Sequence, residues 1–85
     1  MTEFSYRIND PAGLHLRPVG LIVKQANKHK ARVTISIGEK MVDAKKIFSV
    51  MSLNLNPGEE IRVVAQGIDE EEAKSAMLEV LDSNL

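Results

Sequence analysis

The segment Gly13-Leu14-His15-Leu16-Arg17-Pro18 sets an imidazole, a guanidinium and a proline close together in the chain. An amphipathic helical pattern follows directly. Proline is well tolerated in a first helical turn, where its missing N–H leaves no bond unmade. Gly13 allows a sharp bend just ahead of it. His15 is therefore expected at a helix N-terminus, with Arg17 half a turn along. Free amide groups and the positive end of the helix dipole favour an anion at such a place. A nucleophilic imidazole beside an anion site is a candidate phosphoryl acceptor.

The chemistry suits these residue types. Imidazole is both a good nucleophile and a good leaving group, so an N–P bond to it forms and breaks readily. Its ordinary pKa of about 6.5 leaves much of it neutral near pH 7. A phosphoryl group adds roughly two negative charges, which helix amides and Arg17 could meet. The planar guanidinium can contact two phosphate oxygens at once, which an ammonium cannot. The plain alternatives are a capping or surface histidine and a solvated first-turn arginine. The arginine would oppose the helix dipole unless an anion sat nearby.

Other chemistries find little support. The chain has two widely separated histidines and no cysteine, so no metal constellation is legible and no metal or other cofactor is expected. His29 lies in a basic helix end and is expected to be solvated. Glu70 to Glu72 read as a helix start. No P-loop, Ser-His-Asp arrangement or catalytic carboxylate pair is present. Nucleic-acid binding would call for more basic excess and more aromatic residues.

The elements that must position His15 follow from periodicity. Phe4, Tyr6 and Ile8 alternate with polar residues, as in a half-buried strand. Asn9 to Gly13 break it. From Pro18, Val19, Ile22, Val23 and Ala26 form a helical stripe that fades into Asn27-Lys28-His29-Lys30. Val33, Ile35 and Ile37 mark a second strand. Gly38-Glu39-Lys40 is a tight connection to a third strand starting at Met41-Val42, making a hairpin. Ile47 to Leu53 make a short helical run that Asn54 can end in the left-handed conformation. Asn56-Pro57-Gly58 is a turn. Ile61, Val63 and Ala65 form a fourth strand, closed by Gly67. Asp69 is expected to cap the last helix, with Glu72 in the reciprocal position. Ala73, Met77, Val80 and Leu81 supply that helix's apolar stripe, with Asn84 on the same face. The order is βαββαβα. Its economical packing is an α+β open-faced β-sandwich, an antiparallel four-stranded sheet with three helices on one face.

The short helix carries apolar residues at 47, 48, 50, 51, 53 and 55, more than one stripe needs. Some must face outward, as a partner surface would. Methionine suits a surface that accepts several partners.

Eighty-five residues make one domain, residues 1–85. The N-terminal residues Met1-Thr2-Glu3-Phe4 lack the pattern of a secretory signal, and no apolar run is long enough to span a bilayer. The absence of cysteine suits a reducing compartment, so a cytoplasmic protein is expected. The formal net charge is only −1, but it is unevenly spread. Arg17, Lys24, Lys28, Lys30, Arg32, Lys40, Lys45 and Lys46 dominate the first half. Glu59, Glu60, Asp69 to Glu72, Glu79 and Asp82 dominate the region after Pro57. A fold that separates the two would present a positive field around His15 to acidic partners.

The motif Gly-Leu-His-x-Arg-Pro after a first strand, followed by Asp43-Ala44-Lys45 and then Ile47-Phe48-x-x-Met51-x-Leu53, resembles the HPr family. These are the histidine-containing phosphocarriers of the bacterial phosphoenolpyruvate-dependent sugar phosphotransferase system. The resemblance spans essentially the whole chain. It implies that His15 accepts a phosphoryl group on its δ1 nitrogen from phosphorylated enzyme I and passes it to IIA components of sugar permeases. It further implies that Arg17 contacts the phosphate, that Pro18 starts the helix, and that the carrier is a monomer. The implied partner surface comprises Leu14, Leu16, Gly20, Lys24, Lys45, Lys46, Ile47, Phe48 and Met51. A paralogue with a regulatory, nitrogen-related or dihydroxyacetone-related transfer role is the alternative. In many family members a serine after the Ala-Lys pair is phosphorylated by an ATP-dependent kinase. Lys46 occupies that position here, so the regulatory serine is absent. Lys46 is also a poor helix cap, and Asp43 is expected to substitute. Gly20 stands where the family often has alanine or threonine, and Asn54 where it often has glycine.

Overall fold

The computed structural model describes residues 1–9 and 16–84, with Leu16, Arg17 and Asn84 described through their backbone alone. The elements, in chain order, are β1 (Thr2–Arg7), α1 (Leu16–Ala26), β2 (Arg32–Ile37), β3 (Lys40–Asp43), α2 (Ile47–Met51), β4 (Glu60–Gln66) and α3 (Glu70–Asn84). The four strands form one antiparallel sheet in the order β1-β4-β2-β3. The last strand in sequence is thus inserted between the first two. The helices pack on one face, giving the expected open-faced sandwich.

Period-two patterning explains how the sheet is laid down. In β4, Ile61, Val63 and Ala65 are buried while Glu60, Arg62 and Gln66 face solvent. Their register partners on β1 put Tyr6 opposite Ile61 and Phe4 opposite Val63. On β2, Val33 and Ile35 are buried as expected, but so is Ser36 on the opposite face. Ser36 is small and stands between the longer Arg62 and Met41 of its two neighbouring strands.

The β2–β3 hairpin has a two-residue loop, since Ile37 pairs with Lys40. Gly38 takes φ +57° there. A positive φ at the first loop position matches the twist of the flanking strands, and glycine adopts it without a side-chain clash. Asn54 takes φ 52° after α2, as its type allows.

The core lies between the sheet and the helices. Val19, Ile22 and Ala26 of α1, Val50 of α2, and Ala73, Met77 and Leu81 of α3 meet Ile8, Val33, Ile35, Ile61, Val63 and Ala65. Of the helix stripes read from the sequence, these residues are buried, while Val23 and Val80 are half-buried against them. The Tyr6 hydroxyl donates to the Leu81 carbonyl at 3.3 Å, tying β1 to α3. Burial and the nearby Asp82 carboxylate raise the Tyr6 pKa.

The start of α3 differs from the expected cap. The Glu70 carboxylate accepts from the Gly67 amide at 3.2 Å, while the Glu70 amide donates to the Gly67 carbonyl at 3.2 Å. The reciprocal contact is therefore made by Glu70, two residues earlier than Glu72. The reason lies across the fold. The Asp69 carboxylate is drawn to the α1–β2 connection, where it accepts from the amides of Lys30 (3.0 Å) and Ala31 (2.7 Å). The backbones approach closely at this point. A Cβ on Gly67, whose φ is +148°, would lie 2.8 Å from the Ala31 Cα.

Candidate functional site

The helix that should present the histidine begins at Leu16, two residues before the expected Pro18. Pro18 is then its third residue, still within the first turn, and it is buried. Val19 and Ile22 anchor that turn in the core. No acidic residue occupies the first turn of α1, so none of its own carboxylates offsets the positive end of its dipole. Leu14 and His15 lie outside the described residues. The backbone of Leu16 and Arg17 is helical; their side chains lie outside the description.

The α2 segment divides its surplus apolar residues as the count required. Val50 points inward at 1% exposure, and Ile47 packs against the core while half-buried. Phe48 is 82% exposed and Met51 41%. Phe48 is thus left almost wholly in water on a helix that packs against α1. Lys24 on α1, Lys28 just after it and Lys46 just before α2 are all exposed. Among the described residues none of the three forms an ion pair. Gly20 is half-buried, with open space where a Cβ would stand.

Asp43 does not cap α2. Lys46 is the N-cap residue, with extended backbone and no side-chain capping bond. The Asp43 carboxylate instead accepts from the Lys45 amide two residues on, at 2.9 Å. That is the local turn an aspartate makes when it ends a strand, and it uses the group before the helix is reached.

Lys45 and His29 meet within the fold, and His29 departs from expectation. The Lys45 ammonium donates to the His29 carbonyl at 2.8 Å, and the Lys45 carbonyl accepts from Asn27 Nδ2 at 3.0 Å. Its side chain is thus engaged within the fold. His29 is not solvated: its side chain is 13% exposed, with Nδ1 3.3 Å from Asp69 Oδ2. Its Nε2 is buried without a hydrogen-bond partner among the described residues. Around the Asp69 carboxylate, desolvation opposes ionisation. The amides of Lys30 and Ala31, its own amide and the His29 ring outweigh that effect and lower its pKa.

Sequence reasoning missed this network because its members are distant in the chain. Asn27 alone left a signal, as a side-chain donor at a helix end. No cluster of three or more potential metal ligands exists among the described residues. No described helix is long and apolar enough to cross a membrane.

The family model for the PTS HPr component phosphorylation site matches residues 2–83. The chain belongs to the HPr family. Among HPr relatives, the phosphocarrier protein HPr of Mycoplasma capricolum is 36% identical over 81 residues, covering 95% of this chain and 91% of its own length. A solved mycoplasma histidine-containing phosphocarrier superposes with a TM-score of 0.94 at 34% identity, over 96% of this chain and 93% of that one. A solved HPr dimer from Thermoanaerobacter tengcongensis gives 0.78 at 36% identity, over 98% and 95%. HPr proteins are phosphocarriers of the phosphotransferase system, and this chain is one by family.

Proposed function

We propose that this chain carries a phosphoryl group on His15, taking it from phosphorylated enzyme I and handing it to IIA components of sugar permeases. The supporting observation is a family match that describes an HPr phosphorylation site and covers residues 2–83, with His15 in the matched sequence and α1 beginning at the next residue, Leu16. As the donor's bond to phosphorus breaks, the δ1 nitrogen of neutral His15 forms the new N–P bond. The first-turn amides of α1 and the Arg17 guanidinium balance the arriving charge. Transfer onward reverses the step on the next partner. Holding the phosphate by dipoles and one arginine keeps it available for release.

Partners dock on the exposed part of α2. Phe48 and Met51 supply apolar contact, Ile47 borders them, and Lys24 and Lys46 attract acidic surfaces. The domain spans residues 1–85 and acts as a cytoplasmic monomer. With Lys46 in the serine position, the surface stays positive toward acidic partners, and regulation by a kinase at that position is lost.

Labelled phosphoenolpyruvate and enzyme I test the reading. Acid-labile, alkali-stable label on the chain, lost in His15→Ala, is the expected result. No label under conditions that modify a control HPr rejects it.

A further inference from the structure

The sequence resemblance placed Lys45 among the residues that touch partners, but the geometry assigns it another task. We propose that Lys45 is a positioning residue for phosphotransfer: its ammonium, bonded to the His29 carbonyl, fixes the start of α2 against the end of α1. This deepens the proposed carrier function and rests on it.

α2 needs such a hold. It spans only Ile47–Met51, and a helix that short has negligible stability of its own. Its N-cap, Lys46, supplies no side-chain bond, and no acidic residue occupies its first turn. The nearest carboxylate, Asp43, is spent on the Lys45 amide. What joins the beginning of α2 to the neighbouring helix end is Lys45 twice over. Its carbonyl accepts from Asn27 at 3.0 Å, and its ammonium reaches across to His29 at 2.8 Å.

The far anchor is itself secured. The His29 ring lies 3.3 Å from Asp69, and the next two amides, of Lys30 and Ala31, donate to the same carboxylate. Asp69 at the head of α3, the α1–β2 connection and the β3–α2 connection thus form one chain of polar contacts. It ends beside Ile47 and Phe48. Phe48 is 82% exposed, so its own packing does little to hold it. Its direction relative to the head of α1 depends on how firmly α2 is seated. A docking residue held in place before the encounter loses less freedom on binding.

The ammonium is therefore used as a hydrogen-bond donor, and the charge is secondary. That separates this role from an electrostatic contact. Lys45→Met removes donor and charge; Lys45→Gln removes the charge but keeps an N–H donor. Lys46→Met removes an exposed charge that makes no ion pair among the described residues.

Transfer from enzyme I should be measured for each variant over a range of salt concentrations. Amide hydrogen exchange should be followed at Val50, whose N–H donates to the Lys46 carbonyl at 3.1 Å. Losing one such bond should raise KM about threefold to tenfold in Lys45→Met. The kcat should hold, and the salt dependence should match that of the unaltered chain. Lys45→Gln should recover part of the loss. Val50 exchange should quicken in Lys45→Met and not in Lys46→Met. Equal KM values for Lys45→Met and Lys45→Gln, a flattened salt dependence and unchanged Val50 exchange would overturn the proposal. Val50 exchange reads the seating of α2 without any phosphoryl transfer. A chain that accepts no phosphate at all would therefore reject the carrier function while leaving the hold on α2 separately measured.

Discussion

The imidazole of His29 and the carboxylate of Asp69 meet across the fold, Nδ1 to Oδ2, at 3.3 Å. They join the end of the first helix to the beginning of the last. Asp69 also accepts two backbone amides there, so one carboxylate closes the α1–β2 connection against the β4–α3 turn.

This predicts acid sensitivity of a definite sign. The folded-state pKa of Asp69 is lowered, so the stability it contributes is complete above the unfolded value of about 3.9 and is lost as pH falls through the folded value. Thermal melts from pH 7 down to strongly acidic buffer should show Asp69→Asn less stable than the unaltered chain at neutral pH. The gap should close in acid. A gap that is constant with pH would mean that Asp69 acts there only as a spacer.

Phe48 and Met77 should separate docking from stability. Phe48→Ala removes a ring already in water, so unfolding should change by no more than about 0.5 kcal/mol. The KM for enzyme I should rise about tenfold if Phe48 is a docking anchor. Met77 is fully buried on α3, and Met77→Ala should cost about 2–5 kcal/mol. Denaturant melts and transfer assays on the two variants check the contrast.

Gly20 is a place where the chain can be improved. It lies inside α1, and beyond its own neighbours and helix backbone no described atom comes within 4 Å of the Cβ position. Gly20→Ala should therefore add about 0.5–1 kcal/mol through helix propensity alone. In a domain of this size that raises the melting temperature by a few degrees, about 4–8 °C per kcal/mol. A fall in the melting temperature would show that the space is used by something else.

Loss of the regulatory serine can be tested directly. Incubated with ATP and an HPr kinase, the chain should take up no stoichiometric phosphate. Ser52 already donates to the Ser49 carbonyl at 2.6 Å within the turn that ends α2. Phosphate on Ser49 or Ser52, located by mass spectrometry, would contradict the prediction.

Local pattern determined much of this protein. Alternating Ile61, Val63 and Ala65, the stripe Val19, Ile22 and Ala26, and the turn residues Gly38 and Asn54 each specify their own element through interactions a few residues long. The four apolar residues of α2, at 47, 48, 50 and 51, already required an exposed patch, because one helical face cannot bury them all; Leu53 and Leu55 lie past the helix and are buried. The His15-Leu16-Arg17-Pro18 motif was legible as chemistry at a helix start for the same reason, since capping and dipole effects are local.

Only the tertiary structure decided which partners the polar groups take. Asp69 looked like a cap for its own helix, yet it serves amides 38 and 39 residues away. His29 looked solvated among lysines, yet its ring meets Asp69 and its carbonyl accepts from the Lys45 ammonium. Nothing near them in the chain reveals the carboxylate or the carbonyl that holds each one. A hydrogen bond is directional and effective only over about 3 Å, so it is settled by which surfaces the packed core brings together. Here the sheet order β1-β4-β2-β3 and the stacking of α1 against α3 bring them together.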